Sequence, residues 1–152
     1  MPSTLIATLA AALVLAATEV GPAAGAAPAH HTSTAAKVTL KTSPYGRVLF
    51  DGRGYALYLF TADRSTPSTC YGACAKAWPP FLTRGKPLAG PGVNARLLGT
   101  TRRRDGRLQV TYAGHPLYFY VGDRRGQIKC QNVSEFGGLW LVVTRNGRAV
   151  RS

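Results

Sequence analysis

The sequence predicts an all-β fold in which two tandem antiparallel β-meander repeats of about 60 residues pack as one domain. Three observations lead to this prediction. The chain has 152 residues, enough for one domain. Its β-branched and aromatic segments are short and alternate with Gly turns, which is typical of β-hairpins. The second half of the chain also repeats the pattern of the first.

The repeat is seen when residues 46–64 (GRVLFDGRGYALYLFTADR) are laid over residues 106–124 (GRLQVTYAGHPLYFYVGDR), where seven of nineteen positions are identical. The same shift relates Cys70 to Cys130, and a slightly longer one relates Trp78 to Trp140. Because one unit alone buries little surface, we expect the two copies to share a core. The expected equivalent core residues are Leu57, Tyr58, Trp78, Leu117, Tyr118 and Trp140.

Each unit has the same order of strands and turns. In the first unit we expect strands at 38–40, 46–50 and 55–60, with a turn at Asp51-Gly52. In the second we expect strands at 97–101, 108–112 and 116–121, with turns at Asp105-Gly106 and Ala113-Gly114. A strand at 140–144, a turn at Asn146-Gly147 and a strand at 148–150 form a C-terminal hairpin. One short helical turn is expected at 72–77, before Pro79-Pro80.

The N-terminal segment predicts export. Residues 5–17 are apolar, and Ala24-Gly25-Ala26 fits a small-x-small cleavage site, so we expect a removed signal peptide at 1–26. Residues 27–36 read as a flexible tether. Residues 37–152 are then a single β domain with repeats at about 37–82 and 96–145. We expect no transmembrane segment in the mature chain, and no lipid anchor because no Cys lies near the cleavage region.

Both repeats carry the pattern Tyr-x-aromatic-x-x-Asp. Its residues are Tyr58, Phe60 and Asp63 in the first copy and Tyr118, Tyr120 and Asp123 in the second. Together with CYGACAKAWPP at 70–80 and FGGLW at 136–140, these motifs resemble the bacterial secreted repeat family of predicted lipoproteins named for its Tyr-x4-Asp motif. The resemblance implies an exported protein and no particular chemistry.

The two aspartates have a structural and a functional interpretation. Each follows a strand, where a short carboxylate accepts backbone N–H bonds and stabilises a turn. Alternatively, Asp63 and Asp123 converge as a carboxylate pair for a cation or for acid–base chemistry. Since turn chemistry alone would place one Asp per repeat there, we favour the structural role.

Three cysteines in an exported chain imply one disulfide and one remaining thiol. Cys70 and Cys74, which the family motif also contains, are the expected pair, while a bond from Cys130 across the repeats stays open. An alternative metal site would gather Cys70, Cys74, Cys130 and His115. We expect neither a metal nor another cofactor, because Cys-x3-Cys is not the usual zinc spacing.

Positive charge is the remaining feature. The chain has 19 Lys and Arg against six Asp and Glu, a formal charge of +13. We expect Arg102, Arg103, Arg104 and Arg107 to form an anion-binding cluster on one hairpin tip. An exported protein meets anionic wall polymers and acidic lipids before nucleic acid, so we expect no nucleic-acid partner.

These observations predict a secreted, envelope-associated and non-enzymatic β-repeat protein that binds anionic cell-surface material. The alternative is an extracytoplasmic redox or metal-handling protein that uses its cysteines. A hydrolase that uses Asp63 and Asp123 is the third hypothesis. It ranks below the other two because no nucleophile elbow, phosphate loop or metalloprotease helix occurs in the sequence.

Overall fold

The computed structural model of the chain describes residues 35–151, and within them the fold is built almost entirely from short strands. In chain order these are β1 (Lys37–Ser43), β2 (Gly46–Asp51), β3 (Tyr58–Phe60), β4 (Leu82–Thr83), β5 (Leu88–Ala89), β6 (Leu98–Arg102), β7 (Leu108–Tyr112), β8 (His115–Pro116), β9 (Val133–Glu135) and β10 (Gly138–Val142). One five-residue helix, α1 (Ala73–Ala77), and a 3-10 turn at Ala95–Leu97 complete the elements. The all-β prediction with one helical turn is confirmed.

The strands form three small sheets, and two of these sheets combine strands from both repeats. The first sheet has the order β2-β1-β5, the second β3-β10-β9, and the third β4-β7-β6 with β8 beside β7. Thus β3 of the first repeat pairs with β10 of the second, and β4 pairs with β7. The repeats are therefore interleaved and not stacked as two closed meanders. One pair, β1 with β5, is parallel.

The second motif strand is shorter than predicted. The sequence predicts a strand at 116–121, but the ladder there is limited to β8, His115–Pro116. Beyond it the chain bonds in turn to several neighbours: Phe119 N–H donates to the carbonyl of Pro79, and Val121 N–H to that of Ala77. Because Pro79 and Pro80 have no backbone N–H, the neighbouring segment cannot complete a regular ladder.

Two apolar clusters lie on opposite faces of the motif segments. Tyr58, Phe60 and Tyr118 belong to one cluster, and Leu57 and Leu117 to the other. This alternation is what a strand buried between two layers produces. The six equivalent core residues predicted from the repeat are each 0% exposed, so that prediction is confirmed.

The C-terminal segment folds back on β10. Val150 N–H donates to the carbonyl of Val142, and Thr144 N–H to that of Arg148. Gly147 closes this turn at a φ of 78°. A side chain there would overlap Ala113, so the position requires glycine.

The N-terminal expectations lie mostly outside the described residues. The signal peptide at 1–26 and the tether up to residue 34 are not described. Ala36, the last residue of the expected tether, already bonds to the domain, since its N–H donates to Thr83 Oγ1 and its carbonyl accepts from Leu88 N–H. Within residues 35–151, no helix has the length and apolar character needed to cross a membrane.

Candidate functional site

The motif tyrosines and aspartates bond across the two repeats. Tyr58 Oη donates to Asp123 Oδ2 at 2.7 Å, and Tyr118 Oη donates to Asp63 Oδ2 at 2.6 Å. Between them, Tyr58 and Tyr118 pair directly, each backbone N–H donating to the carbonyl of the other at 2.9 Å. Each motif thus supplies one hydroxyl donor and one carboxylate acceptor to the motif of the other repeat, so the two copies are related by an approximate two-fold axis.

Each aspartate also stabilises its own loop. Asp63 Oδ1 accepts from Thr69 N–H at 2.7 Å, and Asp123 Oδ1 accepts from Lys129 N–H at 2.9 Å. Thr69 and Lys129 are separated by the repeat length, so the two loops are built alike. The Asp side chains are nearly buried, at 4% and 8% exposure. The described hydrogen bonds join each carboxyl to the other repeat and to its own loop, and none joins the two carboxyls to each other.

The burial of these groups shifts their pKa values. Burial raises the pKa of Asp123 above the usual aspartate value, against the hydrogen bonds from Tyr58 and Lys129 that lower it. Burial, followed by the nearby carboxylate, raises the pKa of Tyr58 and of Tyr118 well above that of an exposed tyrosine. The phenols therefore stay protonated as donors at neutral pH.

Aromatic rings fill the space around the same axis. Trp78 and Trp140 stack at 4.0 Å between centroids with 3° between their planes. Phe60 stacks on Trp140 at 4.1 Å, and Tyr120 lies 4.8 Å from Trp78, so the motif aromatics occupy the two ends of this stack. The two tryptophans, which the repeat predicts to be equivalent core residues, are in direct contact with each other. All motif positions are accounted for by packing and cross-repeat bonds.

Arg103 is buried, contrary to its expected place on an exposed tip. It is 3% exposed, and its Nη1 donates to Ser68 Oγ at 2.8 Å and to Gln109 Oε1 at 2.7 Å. Its Nη2 donates to the carbonyl of Cys70 at 2.7 Å. The Ser68 hydroxyl in turn lies 2.6 Å from Tyr118 Oη. A charged side chain therefore extends the Tyr118–Asp63 bond into the loop that carries the cysteines.

This network was missed at the sequence level, although a signal was present. Strand alternation places Thr101 and Arg103 on one face and Arg102 on the other. Thr101 is buried and Arg102 exposed, as that alternation requires. If the arginine run is treated as the end of a strand and not as a hairpin tip, this alternation predicts a buried Arg103 between an exposed Arg102 and an exposed Arg104.

The other tip arginines are exposed and partly engaged. Arg107 pairs with Asp105 at 2.6 Å, and Arg102 Nη1 donates to the carbonyl of Gly106 at 2.8 Å. The guanidinium of Arg104 lies 3.9 Å from the centroid of the Tyr71 ring. The tip is therefore held against Tyr71 in the loop that precedes α1. Arg102 and Arg104 form no salt bridge with a carboxylate among the described residues.

Cys70 and Cys74 form the disulfide, with their Cα atoms 5.3 Å apart, and Cys130 is a free, partly buried thiol. The local pairing is confirmed, and the cross-repeat bond is wrong. The alternative metal set of Cys70, Cys74, Cys130 and His115 is not assembled, because two of its sulfurs are bonded to each other. Within residues 35–151, no three His, Cys, Asp or Glu side chains gather as metal ligands.

These features define the class of protein. It is a two-copy β-repeat protein whose motif residues join the two repeats by hydrogen bonds, and it carries exposed arginines on its surface. The chain belongs to the family described as a secreted repeat of unknown function, whose pattern matches residues 39–81 and 99–144. The resemblance noted from the motifs is thus confirmed, and the location is extracytoplasmic. No curated protein and no solved structure matches the chain.

Proposed function

We propose that this secreted repeat protein binds anionic cell-surface material, a wall polymer or an acidic lipid surface, and that it does so without catalysis. The supporting observation is its uncompensated positive charge. All 19 Lys and Arg lie within residues 35–151, with five acidic residues. Two of those five carboxylates each pair with one nearby exposed arginine, and the other three accept hydrogen bonds from core side chains.

The five carboxylates have identifiable partners. Asp51 and Asp105 pair with Arg53 and Arg107, each two residues away. Asp63 and Asp123 accept from the buried tyrosines. Glu135 accepts from Trp78 Nε1 at 2.9 Å. Most of the surface arginines and lysines therefore have no salt bridge within the described part of the chain, and their field attracts polyanions.

Arg102 and Arg104 are the part of the tip that we propose contacts the polyanion. Both are exposed. Arg103 lies between them in the sequence, but its side chain is buried and bonded to Ser68, Gln109 and Cys70. Its role is therefore to fix the end of β6, and it does not contact the polyanion. Arg107 shares its charge with Asp105 and contributes less. A contact of this kind is electrostatic, since exposed charges are screened over about 10 Å at 0.1 M salt.

The experiment compares two double variants of equal charge. Arg102→Gln with Arg104→Gln removes the tip cations, and Arg84→Gln with Arg96→Gln removes two exposed arginines that stand alone in the sequence. Retention is measured on isolated bacterial cell wall, and on phosphatidylcholine vesicles with and without phosphatidylglycerol, across a salt series. We expect the tip variant to be released at clearly lower salt than the control.

Two results would contradict the proposal. Failure of the unaltered protein to be retained on either surface at low salt would exclude polyanion binding. Equal release of the two variants would exclude a special role for the tip.

Neither alternative function receives support from the geometry. The disulfide sulfurs belong to residues only 1% and 7% exposed, whereas reactive disulfides need an accessible sulfur. The hydrolase hypothesis needs Asp63 and Asp123 together, yet each accepts hydrogen bonds that stabilise the core.

For export, we propose that residues 1–26 are removed and that residues 27–36 tether the domain. Sequencing the N-terminus of the exported protein tests this boundary, and a mature chain that begins with residue 1 would contradict it.

A further inference from the structure

A second cationic feature lies away from the arginine tip, where the first motif ends against the C-terminal hairpin. A pocket of about 760 Å³ opens there. The basic side chains of its lining come from three separate segments: Arg64 after the first motif, His115 beside the turn of the second repeat, and Arg148 and Arg151 from the C-terminal hairpin. The fold thus brings together arginines that lie more than 80 residues apart in the sequence.

The charge of the pocket is unbalanced. Arg64, Arg148 and Arg151 are exposed, and none of them forms a salt bridge within residues 35–151. Asp63 also lines the pocket. Its Oδ1 accepts from Thr69 N–H and Oγ1, and its Oδ2 accepts from Tyr118 Oη. The one carboxylate is therefore committed to the core, and the lining keeps an excess of two positive charges.

We propose that this pocket binds the phosphoryl group of a sugar-sized phosphomonoester. A terminal phosphate carries about −1.5 to −2 charges at pH 7, which matches the excess, whereas a carboxylate carries one. Planar guanidinium groups bind phosphate oxygens in pairs. The half-buried His115 brings ring nitrogens to the same pocket from another segment of the chain.

The volume of the pocket and its other lining residues indicate which group is attached to the phosphate. Pockets for small molecules measure about 300–1,000 Å³, and a phosphate alone would fill a small part of this one. Leu59 and Ala149 provide an apolar side. A sugar ring, with apolar C–H faces and hydroxyl edges, fits such a mixed lining. The site would act independently of the diffuse attraction at the arginine tip.

The repeat supplies a matched control for this proposal. Arg124 occupies the position of Arg64 in the second motif and is also exposed, but it does not line the pocket. Arg124→Gln with Arg125→Gln therefore changes the net charge as much as Arg64→Gln with Arg148→Gln does. Both variants leave the Tyr–Asp bonds intact, so both are expected to fold, which their thermal unfolding checks.

Binding of glucose 6-phosphate, inorganic phosphate, glucose and glucuronate is measured by isothermal titration calorimetry at constant ionic strength. We expect one molecule of glucose 6-phosphate per chain, weaker binding of phosphate and glucuronate, and none of glucose. The Arg64/Arg148 variant should lose roughly tenfold or more in affinity, the effect of losing hydrogen bonds to a charged group. The Arg124/Arg125 variant should bind as the unaltered protein does.

Three outcomes would overturn the proposal: no binding of glucose 6-phosphate, equal weakening in both variants, or glucuronate binding as tight as the phosphate ester. None of them bears on retention by the tip. Conversely, loss of wall retention in the Arg102/Arg104 variant with glucose 6-phosphate binding intact would concern the tip alone.

Discussion

At the scale of single residues, the motif works by pairing unlike groups from different repeats. Each tyrosine donates to the aspartate of the other copy, and each aspartate anchors the loop that follows it. A buried donor and a buried carboxylate are both costly to leave without a partner. Each motif tyrosine and aspartate therefore depends on a residue 55 or 65 positions away.

We expect Tyr58→Phe and Tyr118→Phe each to lower the free energy of unfolding by about 1–3 kcal/mol, because a buried carboxylate loses its donor. Tyr118→Phe should cost more, since the Tyr118 hydroxyl also interacts with Ser68. Denaturant unfolding measures both. Tyr45→Phe is the control, because the Tyr45 hydroxyl makes no hydrogen bond within the described residues, and equal losses in all three variants would contradict the prediction.

Arg103→Lys should also destabilise the protein, by about 1.5–3 kcal/mol or more, the value of one hydrogen bond to a charged group. The compact ammonium group of lysine cannot span Ser68, Gln109 and the Cys70 carbonyl as the guanidinium fork does. The neighbouring substitution Arg102→Lys is exposed and should change stability by less than about 0.5 kcal/mol. If the two substitutions lowered the free energy of unfolding by similar amounts, the hydrogen bonds of the buried Arg103 would contribute nothing to stability.

At the scale of elements, the α1 segment is held by its disulfide and by the loop that Arg103 anchors. A helix of five residues is not stable by propensity alone. The Cys70–Cys74 bond closes a very short loop, so its removal should cost roughly 2 kcal/mol, the low end of the usual range. Cys70→Ser with Cys74→Ser tests this in thermal unfolding with and without reductant.

We expect reductant to destabilise the unaltered protein and the Cys130→Ser variant, but not the Cys70/Cys74 variant. Sensitivity to reductant that disappears in the Cys130→Ser variant would contradict the assigned pairing.

Burial raises the pKa of the Cys130 thiol, against a hydrogen bond with Tyr120 that lowers it. Alkylation of Cys130 in the folded protein should therefore be slow at neutral pH and accelerate as the pH rises, because the thiolate is the reactive form.

At the scale of the whole molecule, the interleaved sheets make the two repeats one folding unit. Separating fragment 35–95 from fragment 96–151 breaks two strand pairs, because β3 pairs with β10 and β4 with β7. We expect neither fragment to fold alone and a mixture of both to recover structure. Circular dichroism is the measurement, since coupling between the stacked Trp78 and Trp140 rings requires both fragments. Cooperative unfolding of either fragment alone would contradict the interleaving.

The buried phenols also predict a limit on stability at high pH. Since the fold raises the pKa of Tyr58 and Tyr118, it favours their neutral forms. Their contribution to stability is complete below the usual tyrosine pKa of about 10 and is lost as the pH rises above it. Absorbance at alkaline pH should show these two tyrosines ionising only as the circular dichroism signal is lost. Ionisation of all seven tyrosines in a folded protein would contradict this.

The sequence alone was sufficient for the features that depend on local patterns. Strand alternation placed Tyr58 and Leu57 in different layers, and Gly turns separated the strands. The internal repeat identified the equivalent core residues. The spacing of Cys70 and Cys74, with the family motif, indicated the local disulfide, because four residues of chain bring two cysteines within bonding distance.

Only the tertiary structure decided which residues meet across the repeats. A repeat shows that two positions are equivalent but not whether they touch, so it could not reveal that Tyr58 bonds Asp123 and that Trp78 stacks on Trp140. The burial of Arg103 and the placement of Arg64, Arg148 and Arg151 around one pocket depend on the same long-range pairing. Contacts between distant segments follow from how strands pair, and the hydrophobic pattern of a strand specifies its faces but not its partner.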